Sequence, residues 1–256
     1  MEPVSIYRTK HRVELSDVDF MKKLRMSILF EYFQDISSMH AENLGVGIDT
    51  LEKEHGLAWI LMRMRVEIIR TPVWDEEITL ETWPQEPRIF CERDYYVRDA
   101  DGNIIIRAAA IWAVFDMKAR KLSREKIVYE GLPSIVKERA IQTKARKSSP
   151  LGQLEPAYTK VVGYSDVDMN GHLNNSRYID FIMDCFSLES HQRYDVKAIE
   201  VDYLNEALPG DSLLLYKDIS ALDANAVYIE GVREKDKKTS FKARLVIQAN
   251  ETQTTL

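Results

Sequence analysis

The chain has 256 residues, enough for one large domain or two of about 130, with 45% hydrophobic and 30% charged residues. That balance excludes disorder, and a net charge of −6 leaves no whole-protein footprint for nucleic acid. The most apolar stretch, Ile104 to Phe115, is short and broken by Arg107, so neither a membrane-spanning helix nor stable membrane insertion is expected.

In chain order, Tyr7 to Leu15 has strand character and leads into Ser16-Asp17-Val18-Asp19. A helix follows over Arg25 to Asn43, with Ile28, Leu29, Tyr32, Phe33 and Ile36 at the spacing of one buried face and Gly45 as its stop. Four strands are predicted next: Leu57 to Arg70, Glu76 to Trp83, Ile89 to Arg98 and Asn103 to Phe115, the last two joined at an Asp101-Gly102 turn. Residues 127–155 are polar, contain Pro133, Pro150 and Gly152, and read as a linker with a short helix at Ser134 to Ile141.

The same order then starts again. Tyr158 to Tyr164 is strand-like, and Ser165-Asp166-Val167-Asp168 repeats the earlier tetrapeptide 149 positions later. Asn174 is a plausible N-cap for a helix over Asn175 to Leu188, whose Tyr178, Ile179, Ile182, Met183 and Phe186 repeat the buried spacing. Strands follow at Val196 to Leu204, Ser212 to Ile219, Ala226 to Glu234 and Thr239 to Ile247, with a polar turn at Lys235 to Lys238. Each half therefore reads as one helix wrapped by a curved antiparallel sheet, an α+β arrangement with domains at 1–126 and 156–256.

The copies differ after the shared tetrapeptide. The first continues Phe20-Met21-Lys22-Lys23, and the second Met169-Asn170-Gly171-His172. Asn and His gained in one copy point to a single active site in the second half. Asp168, Asn170 and His172 precede a helix N-terminus, where unpaired N–H groups and the helix dipole favour developing negative charge. Asn170 can orient a carbonyl or a water, and His172 can move protons near neutral pH. Read locally, the same residues also suit a simple polar turn. Glu206 ends a strand before Pro209-Gly210-Asp211. Aligning the Asp75 and Asp211 turns sets it opposite Arg70. Cys91 and Cys185 lie far apart with no CxxC spacing, and His11, His40, His55 and His191 show no ligand spacing, so no metal, disulfide or cofactor is expected.

The segment Asp166-Val167-Asp168-Met169-Asn170-Gly171-His172-Leu173-Asn174-Asn175-Ser176-Arg177-Tyr178 resembles the D-x-D-x-N-x-H-x-N-N-x-x-Y segment of the acyl-acyl carrier protein thioesterases. Ala58-Trp59-Ile60-Leu61, Pro72-Val73-Trp74, Glu81-Thr82-Trp83-Pro84, Arg93-Asp94-Tyr95 and Trp112 through Arg120 are similar to landmarks of the same family, so the likeness runs from about residue 5 to 248. The resemblance implies two tandem hotdog domains, the first binding the acyl chain and the second catalytic. It implies hydrolysis of fatty acyl-ACP to free acid and holo-carrier, terminating elongation. It places the catalytic set on Asp168, Asn170, His172 and Glu206, with the oxyanion at the helix terminus near Asn174 and Asn175. Water is the expected nucleophile, and Glu206 or Asp168 either activates it or forms a transient covalent adduct. The family's Cys after the Glu is Ala207 here, so a cysteine nucleophile has no place at that position. The N-terminus, Met1-Glu2-Pro3-Val4, has no transit or anchor pattern, which implies a bacterial-type protein of the cytoplasm.

The expected partner is acyl carrier protein bearing a fatty acyl phosphopantetheine thioester; a homodimer is compatible with the sequence. The carrier is acidic, so two basic clusters are candidate docking surfaces: Lys118, Arg120, Lys121, Arg124 and Lys126, and Lys137, Arg139, Lys144, Arg146 and Lys147. Chain length is not readable, although Met26, Leu29, Phe33 and Trp59 are candidates to line a tunnel. The rival readings are an acyl-CoA thioesterase on the same fold and a non-catalytic acyl-thioester sensor.

Overall fold

A computed structural model describes residues 2–86, 90–123, 128, 133–134, 136–142 and 148–250. The chain forms two compact units, one of Met1–Met64 and Ile69–Thr143, the other of Arg65–Ile68 and Lys144–Leu256.

The first unit contains β1 (Tyr7–Arg12), α1 (Met26–Asn43), β2 (Leu57–Ile68), β3 (Glu77–Pro84), β4 (Cys91–Arg98), β5 (Ile104–Asp116) and β6 (Lys121–Leu122). A short helix α2 (Ile48–Thr50) passes into a π-helical turn at Leu51–His55. The sheet order is β1-β3-β4-β5-β2, with β6 on β5, and the β1–β3, β3–β4 and β4–β5 pairs are antiparallel. Helix α1 lays Ile28, Leu29, Phe33 and Ile36 on the sheet, with Phe33 4.9 Å from Tyr95. Ala108 and Ala110 are fully buried on β5. The helix ends as the sequence predicts: Gly45 takes φ +77, and the Val46 N–H closes back to Ala41 O.

The second unit contains β7 (Glu155–Val161), α3 (Asn175–Met183), α4 (Leu188–Arg193), β8 (Tyr194–Tyr203), β9 (Ser212–Asp218), β10 (Ala226–Arg233) and β11 (Thr239–Ala249). Its order, β8-β11-β10-β9-β7, repeats the first unit strand for strand. Tyr178 of α3 stacks edge-on against Tyr203 and Phe241 at 5.7 and 5.3 Å. Gly231 makes room for that cluster, since a Cβ there would sit 2.2 Å from the Phe241 ring. Each such buried aromatic contributes roughly 2–3 kcal/mol by leaving water.

Two predicted elements differ from the structure. The second helix stops at Met183 rather than Leu188, and the chain turns before α4. The predicted helix at Ser134 to Ile141 does not form: described residues 136–139 are not helical. Their backbone bonds go elsewhere: Trp83 Nε1 and Gln85 Nε2 donate to Glu138 O, and the Ala140 N–H donates to Asp94. This part of the 127–155 segment is packed on the first sheet, with Ala140 against Trp83 and Tyr96. No described helix is long and apolar enough to cross a membrane.

Candidate active site

The loop before α3 is built by one carboxylate. Asp168 Oδ1 accepts the N–H groups of Asn170 at 2.9 Å and His172 at 3.2 Å. The Asp168 N–H donates to His172 O at 2.8 Å, and the Gly171 N–H donates to Asp168 O at 3.0 Å. Gly171 sits at φ +78, a conformation that is strained for a residue with a Cβ. Asn174 then caps α3, its Oδ1 accepting the Ser176 N–H at 2.9 Å.

The first copy has the same network. Asp19 Oδ1 accepts the N–H groups of Met21 at 2.8 Å and Lys23 at 3.0 Å, and the Asp19 N–H donates to Lys23 O. Lys22 stands where Gly171 does, at φ +60. The aspartate organises the loop whether or not Asn and His are present.

Glu206 reaches the loop from the other side. Leu173 N–H donates to Ala207 O at 2.9 Å, fixing the Glu206 turn beside His172, and His172 Nε2 lies 3.5 Å from Glu206 Oε2. Their side chains are 38% and 65% exposed, open to water within the unit. Ala207 is fully buried and hydrogen-bonded to Tyr178, whose phenol is pushed up mainly by burial. Arg233 donates to the Glu206 carbonyl while paired with Asp236 at 2.7 Å. Sequence reasoning missed Arg233: a strand-end arginine before a polar turn carries no local signal of what its guanidinium reaches.

The structure thus brings His172 and Glu206 together, places Asp168 behind the backbone, and leaves the Asn170 side chain exposed on the same loop. In the first turn of α3, the Ser176 N–H is taken by Asn174 Oδ1 and the Arg177 N–H by Asn174 O. The Asn175 N–H has no acceptor among the described residues, so backbone help for an oxyanion narrows to that group.

The expected alignment of Glu206 with Arg70 is corrected. Ile69 and Arg70 both donate to Ile105 O, while Leu204 and Asn205 both donate to Ser240 O, and Asp75 donates to Val13 O where Gly210 donates to Val162 O. The structural partner of Glu206 is therefore Thr71. Arg70 instead pairs with Glu76 at 2.6 Å.

Neither cysteine resembles a nucleophile. Cys185 is buried, and burial pushes its thiol up to about 12, while Cys91 is half-buried on β4.

A family model for the acyl-ACP thioesterase N-terminal domain matches residues 4–129, and one for the C-terminal domain of the same family matches residues 155–256. The chain belongs to the acyl-ACP thioesterase family. An Arabidopsis thaliana oleoyl-acyl carrier protein thioesterase is 29% identical over 82% of the chain, which spans 62% of that relative's length. A Coriandrum sativum oleoyl-acyl carrier protein thioesterase is 28% identical over 80% of the chain, which spans 60% of it. Among solved structures, an acyl-ACP thioesterase from Bacteroides thetaiotaomicron is 26% identical with a TM-score of 0.86, covering 95% of this chain and 98% of that one. The 12:0-ACP thioesterase of Umbellularia californica shares the fold, with a TM-score of 0.84 at 18% identity over 96% of this chain and 98% of that one. The family's two-hotdog fold agrees with the strand-for-strand repeat.

Proposed function

We propose that the protein hydrolyses fatty acyl thioesters carried on acyl carrier protein, with catalysis in the 156–256 half and acyl-chain binding in the 1–126 half. The observation that carries this reading is the His172–Glu206 pair at 3.5 Å beside Asn170, on a loop that opens onto a helix N-terminus. Water adds to the thioester carbonyl carbon as Glu206 takes its proton, directly or through His172. The oxyanion is held by Asn170 Nδ2 and the Asn175 N–H. Collapse of the tetrahedral species breaks the C–S bond. The leaving thiolate of the phosphopantetheine takes up that same proton, passed from Glu206 back through His172, giving free acid and holo-carrier and restoring both side chains. Asp168 is the competing base: its Oδ1 accepts two N–H bonds, while its Oδ2 carries none among the described residues. Leu29 and Phe33, buried on α1, and Met26 and Trp59, half-buried, are the residues we assign to chain-length choice.

Carrier docking is read at the β5–β6 hairpin. Lys118, Arg120 and Lys121 have no carboxylate partner among the described residues and are flanked by exposed Met117 and Leu122, at 56% and 44%. Asp116 pins the turn by accepting the Lys118 and Ala119 N–H groups. In the second cluster Arg139 is already paired with Asp94 and Glu92, whereas Lys137 is exposed. Arg124, Lys126, Lys144, Arg146 and Lys147 lie outside the described residues.

Purified protein is expected to release acid and holo-carrier from acyl-ACP; absence of turnover at every chain length from C8 to C18 rejects the reading. Rates on acyl-ACP and acyl-CoA with one acyl group separate it from a CoA-directed enzyme. Charge reversal of Lys118, Arg120 and Lys121 should raise KM for acyl-ACP roughly 10-fold and leave small thioesters unaffected. Equal losses on both substrates would assign these residues to stability instead.

A further inference from the structure

The two helices of the repeat differ in length, and the difference leaves space. Helix α1 runs for 18 residues, whereas α3 runs for 9 and ends at Met183. The strands beneath α3 are not shortened to match: β8 has 10 residues and β11 has 11. The far end of the second sheet is covered by the separate turn of α4 and by Leu222–Ala224, and a cavity of about 150 Å3 remains there. Phe186, Val196, Leu245 and Ile247 supply apolar walls. A largely apolar pocket of about this size has room for a small hydrocarbon.

Its edge is cationic. Lys217 Nζ donates to Cys185 O at 3.1 Å and lies 5.5 Å from the centre of the Phe186 ring, with no carboxylate partner among the described residues. Two of its three N–H groups are left for a ligand. His191 Nε2 donates to Met183 O at 3.0 Å, which leaves Nδ1 as an acceptor when the ring is neutral, so anion recognition falls to Lys217. The cavity lies at the end of α3 remote from the catalytic loop, about one helix length or roughly 14 Å away.

We infer that this cavity is a second site in the catalytic unit, taking a fatty carboxylate with its alkyl end among Phe186, Val196 and Leu245 and its head group on Lys217. The ligand class fits the product of the hydrolysis proposed above, and on that reading the site senses released acid. The alkyl part supplies affinity through burial, and the ammonium selects an acid over a neutral chain.

The test uses the full chain and octanoate. Calorimetric titration should show binding that weakens several-fold for each methylene removed, as octanoate is shortened to butyrate. Val196→Phe, which fills the cavity, should abolish binding. Lys217→Gln should weaken it roughly 5-fold or more, and Glu206→Ala should leave it intact. Octanoate should inhibit thioester hydrolysis non-competitively in the parent protein and not in Val196→Phe. Unchanged binding in both Val196→Phe and Lys217→Gln, or purely competitive inhibition, would place octanoate in the catalytic site and overturn the proposal. So would the absence of any binding. Loss of turnover in the untreated enzyme bears on the hydrolase reading alone, since the titration needs no activity. If Val196→Phe does not fold, as judged by circular dichroism, Lys217→Gln and the chain-length series still decide.

Discussion

Asp19 and Asp168 occupy equivalent loops, accept the same two backbone N–H groups and precede equivalent helices, yet only the second loop carries Asn and His. The comparison separates what builds the scaffold from what is added to it. An aspartate that does the same work in the copy without Asn and His is part of the loop's architecture. The residues that differ, Asn170 and His172 against Met21 and Lys23, together with Glu206 against Thr71, are the ones to which the proposed mechanism gives the chemistry.

The largest expected effects fall on those differing positions. His172→Ala and Glu206→Ala should each lower kcat by about 10²-fold or more in steady-state assays, with melting temperatures within a few degrees of the parent. A well-folded His172→Ala protein with near-normal kcat would return the residue to a structural role.

Substitutions at Asp168 sharpen the comparison. Asp168→Asn keeps an Oδ1 acceptor for both N–H groups and should retain activity within about 10-fold, whereas Asp168→Ala should cost about 10² in kcat by releasing the loop. A loss with Asn as deep as with Ala would make Asp168 the base. Asp19→Ala removes the same two bonds from the other copy, and it should lower the unfolding free energy by about 1–2 kcal/mol in denaturant titrations without a comparable loss in kcat.

A smaller effect tests the core of the first unit. His40 is fully buried, donates from Nε2 to Val4 O at 2.8 Å, and accepts at Nδ1 from Arg93 at 2.9 Å. Burial first, and then the Arg93 charge, lowers its pKa from 6.5 to about 4. The folded state therefore keeps His40 neutral where the unfolded chain takes up a proton. Its contribution to stability is present above about pH 6.5 and is lost as the pH falls toward about 4. His40→Gln should reduce the loss across that window, by on the order of 2 kcal/mol, in unfolding titrations at successive pH values. An unchanged pH slope would reject this account.

The smallest effect concerns the left-handed position of the loop. Lys22 at φ +60 bears a strain that Gly171 avoids at φ +78. Lys22→Gly should change stability by no more than about 1 kcal/mol, in the stabilising direction, while Gly171→Ala should destabilise by about as much. Destabilisation by Lys22→Gly would mean that the cation–π contact of Lys22 with Trp74, at 5.6 Å, outweighs the backbone strain.

The sequence by itself determined the repeat, the ten principal strands to within a few residues, the first helix and its glycine stop, and the Asn174 cap. All of these are local, set by side-chain periodicity or by a residue's bond to its neighbours within a turn. Tertiary structure decided the rest. Glu206 matched Thr71 rather than Arg70 because the two turns align through backbone bonds, with Asp75 equivalent to Gly210, and a shared Asp letter does not report those bonds. The segment at 134–141 formed no helix because Trp83, Gln85 and Asp94, distant in sequence, took its backbone groups. The early end of α3 belongs in the same category. So do the backbone bonds of Asp168 Oδ1, because which donors face a carboxylate is fixed only once the chain has closed around it.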